Sequence, residues 1–132
     1  MLAIGALAVS GCGGTSQGAT QPRPPAPVNV TVYIDDSRVS VSPASIGAGP
    51  VAFIITNQAS DAESLAVLSG GQPVASTGPI NPQATAQLTV DLSTPGRYSL
   101  STGPSAGGLS IRAASLLIGR PRPSSDNQLL QP

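Results

Sequence analysis

The sequence predicts an all-β fold, an antiparallel Greek-key sandwich of about eight short strands. Three observations carry that expectation. Apolar residues alternate with polar ones at period two over several stretches, as at Val28, Val30, Val32 and Ile34 against Asn29, Thr31 and Tyr33. Turn-forming Gly, Pro, Asp and Ser clusters recur about every 8–12 residues between those stretches. No window carries apolar residues at the spacing of an amphipathic helix.

Taken in order, the first strand covers Val28–Ile34 and ends at the turn Asp35-Asp36-Ser37. Val39 and Val41 mark a second, stopped by Pro43, which has no N–H to give a ladder. Gly47-Ala48-Gly49-Pro50 reads as a turn. Val51 to Thr56 is nearly continuous in apolar residues, the mark of a central strand covered on both faces. Asn57 to Ala62 is a polar loop. Leu65, Val67 and Ser69 form the next strand, broken by Gly70-Gly71, and Pro73 to Thr77 the one after. Gly78 to Pro82 is a Pro-rich loop. Ala86, Leu88, Val90 and Leu92 alternate with Thr85, Gln87, Thr89 and Asp91 in the cleanest strand pattern of the chain. Pro95-Gly96 is a turn into Tyr98–Ser101, a loop follows over 103–108, and Leu109–Ile118 is the last strand. With only Tyr33, Phe53 and Tyr98 as aromatics, the core is expected to be Val, Ile, Leu and Ala, with Phe53 and Tyr98 its bulky members. The sandwich is thus expected over 28–119, with a loose tail over 120–132.

Composition removes whole classes of chemistry. Charged residues are 9% of the chain, and its six basic residues, all Arg, balance six acids. That leaves no cationic footprint for nucleic acid, so no nucleic-acid partner is expected. There is no His, the commonest general base and metal ligand. The single cysteine, Cys12, forbids an intrachain disulfide and a Cys-based zinc site. Gly103-Pro104-Ser105-Ala106-Gly107 matches the nucleophile-elbow pattern, but a Ser105 nucleophile needs a base that the composition lacks and a strand-to-helix turn that the pattern lacks. A hairpin loop is the better reading. No catalytic residue and no cofactor are expected, and the chain reads as non-enzymatic. Asp61 and Glu63 are two apart, and paired carboxylates can hold Ca²⁺, yet six to eight oxygens would have to converge where acids are sparse. No metal site is therefore expected.

Residues 1–9 are apolar or Gly, about half the length needed to span a bilayer, and the small pair Ser10-Gly11 precedes Cys12. Val9-Ser10-Gly11-Cys12 resembles the lipobox of bacterial lipoprotein signal peptides. The resemblance implies cleavage before Cys12, a diacylglycerol thioether on its sulfur, and a membrane partner at the outer face of the cell. Such leaders open with Lys or Arg, whereas the first basic residue here is Arg23, which points to a start upstream of Met1. Residues 12–27 are Gly/Ser/Thr-rich, then Pro-rich, and are expected to be a disordered tether reaching about 20 Å.

The strand ending Val51-Ala52-Phe53-Ile54-Ile55-Thr56-Asn57 resembles the Asn-ended strand of the cupredoxin family. The run from Ile80 to Leu100 resembles that family's P-G-x-T-x-x-L…P-G-x-Y sequence, and the likeness extends over 28–119. It implies a cupredoxin-like sandwich. Carried over by position, the first copper-binding His falls near Glu63, the Cys at Thr102, the second His near Ser105 and the Met near Leu109. A blue-copper site needs a thiolate and two imidazoles, and none of these residues supplies one. The resemblance also implies that the 57–64 and 102–109 loops crown one end of the sandwich, making Asp61, Glu63, Thr102 and Ser105 the expected contact residues for an unknown protein or small ligand. The expected function is a lipid-anchored binding, accessory or interaction module. The alternative is a metal-handling or electron-transfer protein of cupredoxin type with a degenerate site.

Overall fold

The structure is a computed structural model and describes residues 25–103 and 110–123. It contains eight strands: β1 Val28–Ile34, β2 Val39–Ser42, β3 Ser45–Asn57, β4 Leu65–Ser69, β5 Gln72–Ser76, β6 Thr85–Leu92, β7 Gly96–Thr102 and β8 Ala114–Pro121. They form the two layers of a sandwich, one ordered β2-β1-β3-β6 and the other β3-β8-β7-β4-β5. β3 belongs to both. Its first residues, Ser45 to Ala48, pair with β8, and from Gly49 onward it pairs with β6, then also with β1. Two of these pairings, β1 with β3 and β3 with β8, are parallel; the remaining five are antiparallel.

The expected turn at Gly47–Pro50 is instead the place where β3 changes sheets without ending. Glycine has two jobs there. Gly49 has φ of 140°, a conformation a Cβ disfavours, and an added Cβ would lie 2.6 Å from the Arg122 guanidinium. Gly47 leaves room for the same side chain. The last strand also differs from expectation: it starts at Ala114, because residues before it are held at backbone level by the β1–β2 turn, with Val39 N donating to Arg112 O at 2.8 Å. It runs on to Pro121, past the boundary expected for the tail. The Gly70-Gly71 hairpin is as expected; both have positive φ, 57° and 82°, which suits a two-residue turn between β4 and β5.

The core is aliphatic, as the composition implies. Val30, Val32, Ile34, Val51, Phe53, Ile55, Leu65, Val67, Leu100 and Leu116 are fully buried, and burial of each such side chain contributes about 1.5–3 kcal/mol. Tyr98 is buried, and its hydroxyl donates to Thr94 O at 2.8 Å, tying β7 to the turn before it. Tyr33, on the polar side of β1, is exposed. Along β6 the apolar residues Ala86, Leu88 and Val90 are only half-buried, because β6 lies at the edge of its sheet. Among the described residues no helix is long and apolar enough to cross a membrane.

Candidate functional site

The end of the sandwich reached by the C-terminus of β3 is organised by Asn57. This residue closes the apolar run, and its side chain is fully buried. Its amide nitrogen donates to Asp61 O at 2.9 Å and Ile80 O at 2.8 Å, while its Oδ1 accepts from Ala59 N at 2.8 Å. Its backbone N–H donates to Ala84 O, and its carbonyl accepts from Gln83 N. One amide thus fixes both the 57–63 loop and the 80–84 segment, which is why a short polar side chain ends this strand. Glu63 and Ile80 exchange backbone hydrogen bonds at 3.1 and 2.9 Å, which close the same end.

Glu63 was expected on an exposed contact loop, but it is 2% exposed. It continues the inward row Glu63, Leu65, Val67 at period two, so the sandwich interior receives its side chain. Its Oε1 has no hydrogen-bond partner among the described residues. Asp61 is partly exposed in the loop, and its carbonyl is taken by Asn57. Thr102 ends β7, half-buried, opposite Leu65. Glu63, Asp61 and Thr102 therefore do come to one end, although Glu63 offers no contact surface. Ser105, Leu109 and Cys12 lie outside the described residues. Among the described residues no group of three or more Cys, Asp or Glu side chains gathers as a multidentate metal site would require.

The rim of this end is built by two aspartates. Asp35 Oδ1 accepts from Ser37 N and Arg38 N, both at 2.8 Å, and from the Ser37 hydroxyl, and these bonds hold its carboxyl below the ordinary carboxylate range. Asp36 reaches across to the 57–63 loop, accepting from the hydroxyl and N–H of Ser60; those bonds lower its pKa as well.

The opposite end of the sandwich carries a feature the sequence reading missed. A cleft of about 470 Å³ is lined by Pro25, Gly49, Pro50, Asp91 and Arg122, among others. The Arg122 guanidinium donates to Ala26 O at 2.8 Å, to Ala48 O at 3.3 Å and to Pro50 O. Burial pulls its pKa below the ordinary value, and the nearby Asp91 opposes that shift. Arg122 joins the chain entering β1, the sheet-changing point of β3 and the chain leaving β8. The available signal was the pair Gly47 and Gly49, two apart on a strand, which leaves one backbone face bare for a long side chain.

No protein-family model matches the sequence, and no curated protein matches it. Solved structures do. Reduced auracyanin from Roseiflexus castenholzii aligns at a TM-score of 0.53 and 11% identity, over 72% of this chain and 98% of its own. Auracyanin A of Chloroflexus aurantiacus, a blue copper protein, aligns at 0.52 and 14% identity, over 69% and 99%. A multicopper oxidase aligns at 0.51 and 13% identity, over 74% of this chain and 46% of its own. At these identities the likeness establishes the fold: this chain is an all-β, cupredoxin-like sandwich.

Proposed function

We propose that the chain is a non-enzymatic binding or interaction module on a cupredoxin-like scaffold, without a blue-copper centre of its own, tethered to the outer face of a bacterial membrane through Cys12. The observation that carries this reading is the chemistry at the Asn57 end. Carried over by position, the family pattern's first imidazole falls near Glu63, which is turned inward, and its thiolate falls at Thr102, which ends β7. The 132 residues include no His with which to rebuild the site. A carboxylate and a hydroxyl do not fit a metal that needs one thiolate and two imidazoles. The remaining surface of that end, with Asp61 and Thr102 inside the rim made by Asp35, Asp36 and Ser60, is the contact surface of this reading. The short apolar leader ending in Ser10-Gly11-Cys12 supports the anchor.

A second reading, metal handling with ligands shared by a partner, draws on one observation: the Oε1 of Glu63, without a hydrogen-bond partner among the described residues, is an oxygen that a cation could take. The two readings separate in one experiment. Purified protein is loaded with copper or zinc, dialysed, and assayed for retained metal. Loss of the metal is the expected result; stoichiometric retention, abolished by Glu63→Gln, would favour the second reading. For the anchor, Cys12→Ser should abolish labelling of the chain by a fatty-acid probe in a lipoprotein-processing host, and undiminished labelling would refute it.

A further inference from the structure

The sandwich has four sheet edges among the described residues, and three of them carry devices that block strand addition. β2 is four residues long and runs into Pro43. β5 contains Pro73, and its ladder with β4 is interrupted by a register shift between Val67 and Leu68. The first stretch of β3 also shifts register, between Gly47 and Ala48, and the Arg122 side chain lies across it. Short strands, prolines and bulges are the usual means by which an exposed edge avoids pairing with another chain.

β6 has none of them. It is eight residues long and pairs with β3 in unbroken register from Gly49↔Leu92 to Thr56↔Thr85. It contains neither Pro nor Lys, and its one charge, Asp91, is near its end. No strand among the described residues pairs with its other side. Asn57 N donates to Ala84 O, so counting by twos the backbone groups of Thr85, Gln87, Thr89 and Asp91 point away from β3. Its inward side chains Ala86, Leu88 and Val90 are left half-buried.

We propose that the β6 edge is a self-association surface, occupied by β6 of a second copy running antiparallel about a two-fold axis at Leu88. The sequence of the strand argues for this occupant because it is self-complementary about that residue. Gln87 meets the second copy's Thr89, Ala86 meets its Val90, and Thr85 meets its Asp91, so polar groups face polar groups and apolar groups face apolar ones. The two Asp91 carboxylates are kept at opposite ends of the junction, with no like charges opposed. The two four-stranded layers become one continuous sheet, and the half-buried apolar row of each copy is covered by that of the other. This surface is on the side of the sandwich, so it is separate from the contact end proposed above and does not depend on it.

The test uses the full chain with Cys12→Ser, followed by sedimentation over a concentration series. A reversible dimer is expected. Gln87→Lys with Thr89→Lys places like charges opposite one another at two exposed positions, so it should weaken the dimer roughly tenfold or more while leaving the far-UV circular dichroism unchanged. Leu88→Cys, in the same background, should give a disulfide-linked dimer when oxidised with copper phenanthroline. A chain that stays monomeric throughout the series, or a dimer indifferent to the two lysines, would overturn the proposal. A monomer that dimerises only after removal of residues 124–132 would also overturn it, and would assign the edge to the chain's own C-terminal segment.

Discussion

At the Asn57 end of β3 a neutral amide is sealed from water and bonded on every side, whereas at the Gly49 end a charged guanidinium lies at the surface and gathers three carbonyls. Both residues solve the same problem, chain segments that leave the sheets with unpaired backbone groups. They solve it at different cost. A buried amide can be fully satisfied without desolvating a charge, so it suits the interior end of a strand; a guanidinium keeps part of its hydration only if it stays at the rim. The difference also explains what each end leaves over. The Asn57 end is tight, yet it seals in Glu63 with an oxygen that lacks a partner among the described residues. The Arg122 end keeps an open cleft beside Asp91.

The contrast predicts unequal losses. Asn57→Ala removes the acceptor of the buried Ala59 N–H and the donors to Asp61 O and Ile80 O, and should lower unfolding stability by about 2–4 kcal/mol, read as a fall in the urea midpoint at unchanged m-value. A loss below about 0.5 kcal/mol would mean that the hub is not holding the two loops.

Arg122→Ala should cost less, about 1–2 kcal/mol, because water can replace the guanidinium at a rim. Its more informative use is in a double-mutant cycle with Gly49→Ala. The added methyl meets the guanidinium, so the cost of Gly49→Ala should fall when Arg122 is already Ala, but not to zero, because the positive φ of Gly49 persists. Additive losses in the cycle would show that the side chain does not lie against β3.

The smallest effect lies on the rim of the Asn57 end and is read by pH. Asp35 and Asp36 titrate below their ordinary value of 3.8 when folded. Depressed carboxylates stabilise the folded chain above the ordinary value, and that contribution is lost as the pH falls through the lowered values. Asp36→Asn, which removes the titrating carboxylate and one of the two acceptors it offers Ser60, should therefore flatten the decline of stability as the pH falls below about 4 and leave the Arg122 end untouched. An acid limb as steep as that of the parent chain would place the titrating group elsewhere.

Much of the fold could be read from local pattern. The alternation in β1 and β6, the Gly70-Gly71 hairpin and the Asp35–Ser37 turn each express a preference that needs only neighbours in sequence. The Gly47–Pro50 segment misled because the same glycines that suit a turn also suit a strand passing from one sheet to the other beneath an arginine. Asn57 was legible as the end of a strand but not as a hub, since two of its partners, Asp61 and Ile80, are separated from it by a loop and by two strands. Glu63 was misplaced for a related reason. Its polar neighbours, Ser60, Asp61 and Ser64, describe a loop, and only its period-two relation to Leu65 and Val67 hinted that it faced inward.

The sequence by itself determined the class of structure and the chemistry available to it. Hydrophobic period, turn residues and the composition of the core are properties of short stretches, and the lack of imidazole is a property of the residue count. Tertiary structure decided which of the four sheet edges would be left unprotected, where Arg122 would find its carbonyls, and that one glutamate would be enclosed. Those outcomes depend on segments far apart along the chain being brought to within hydrogen-bond distance, a constraint that no local preference encodes.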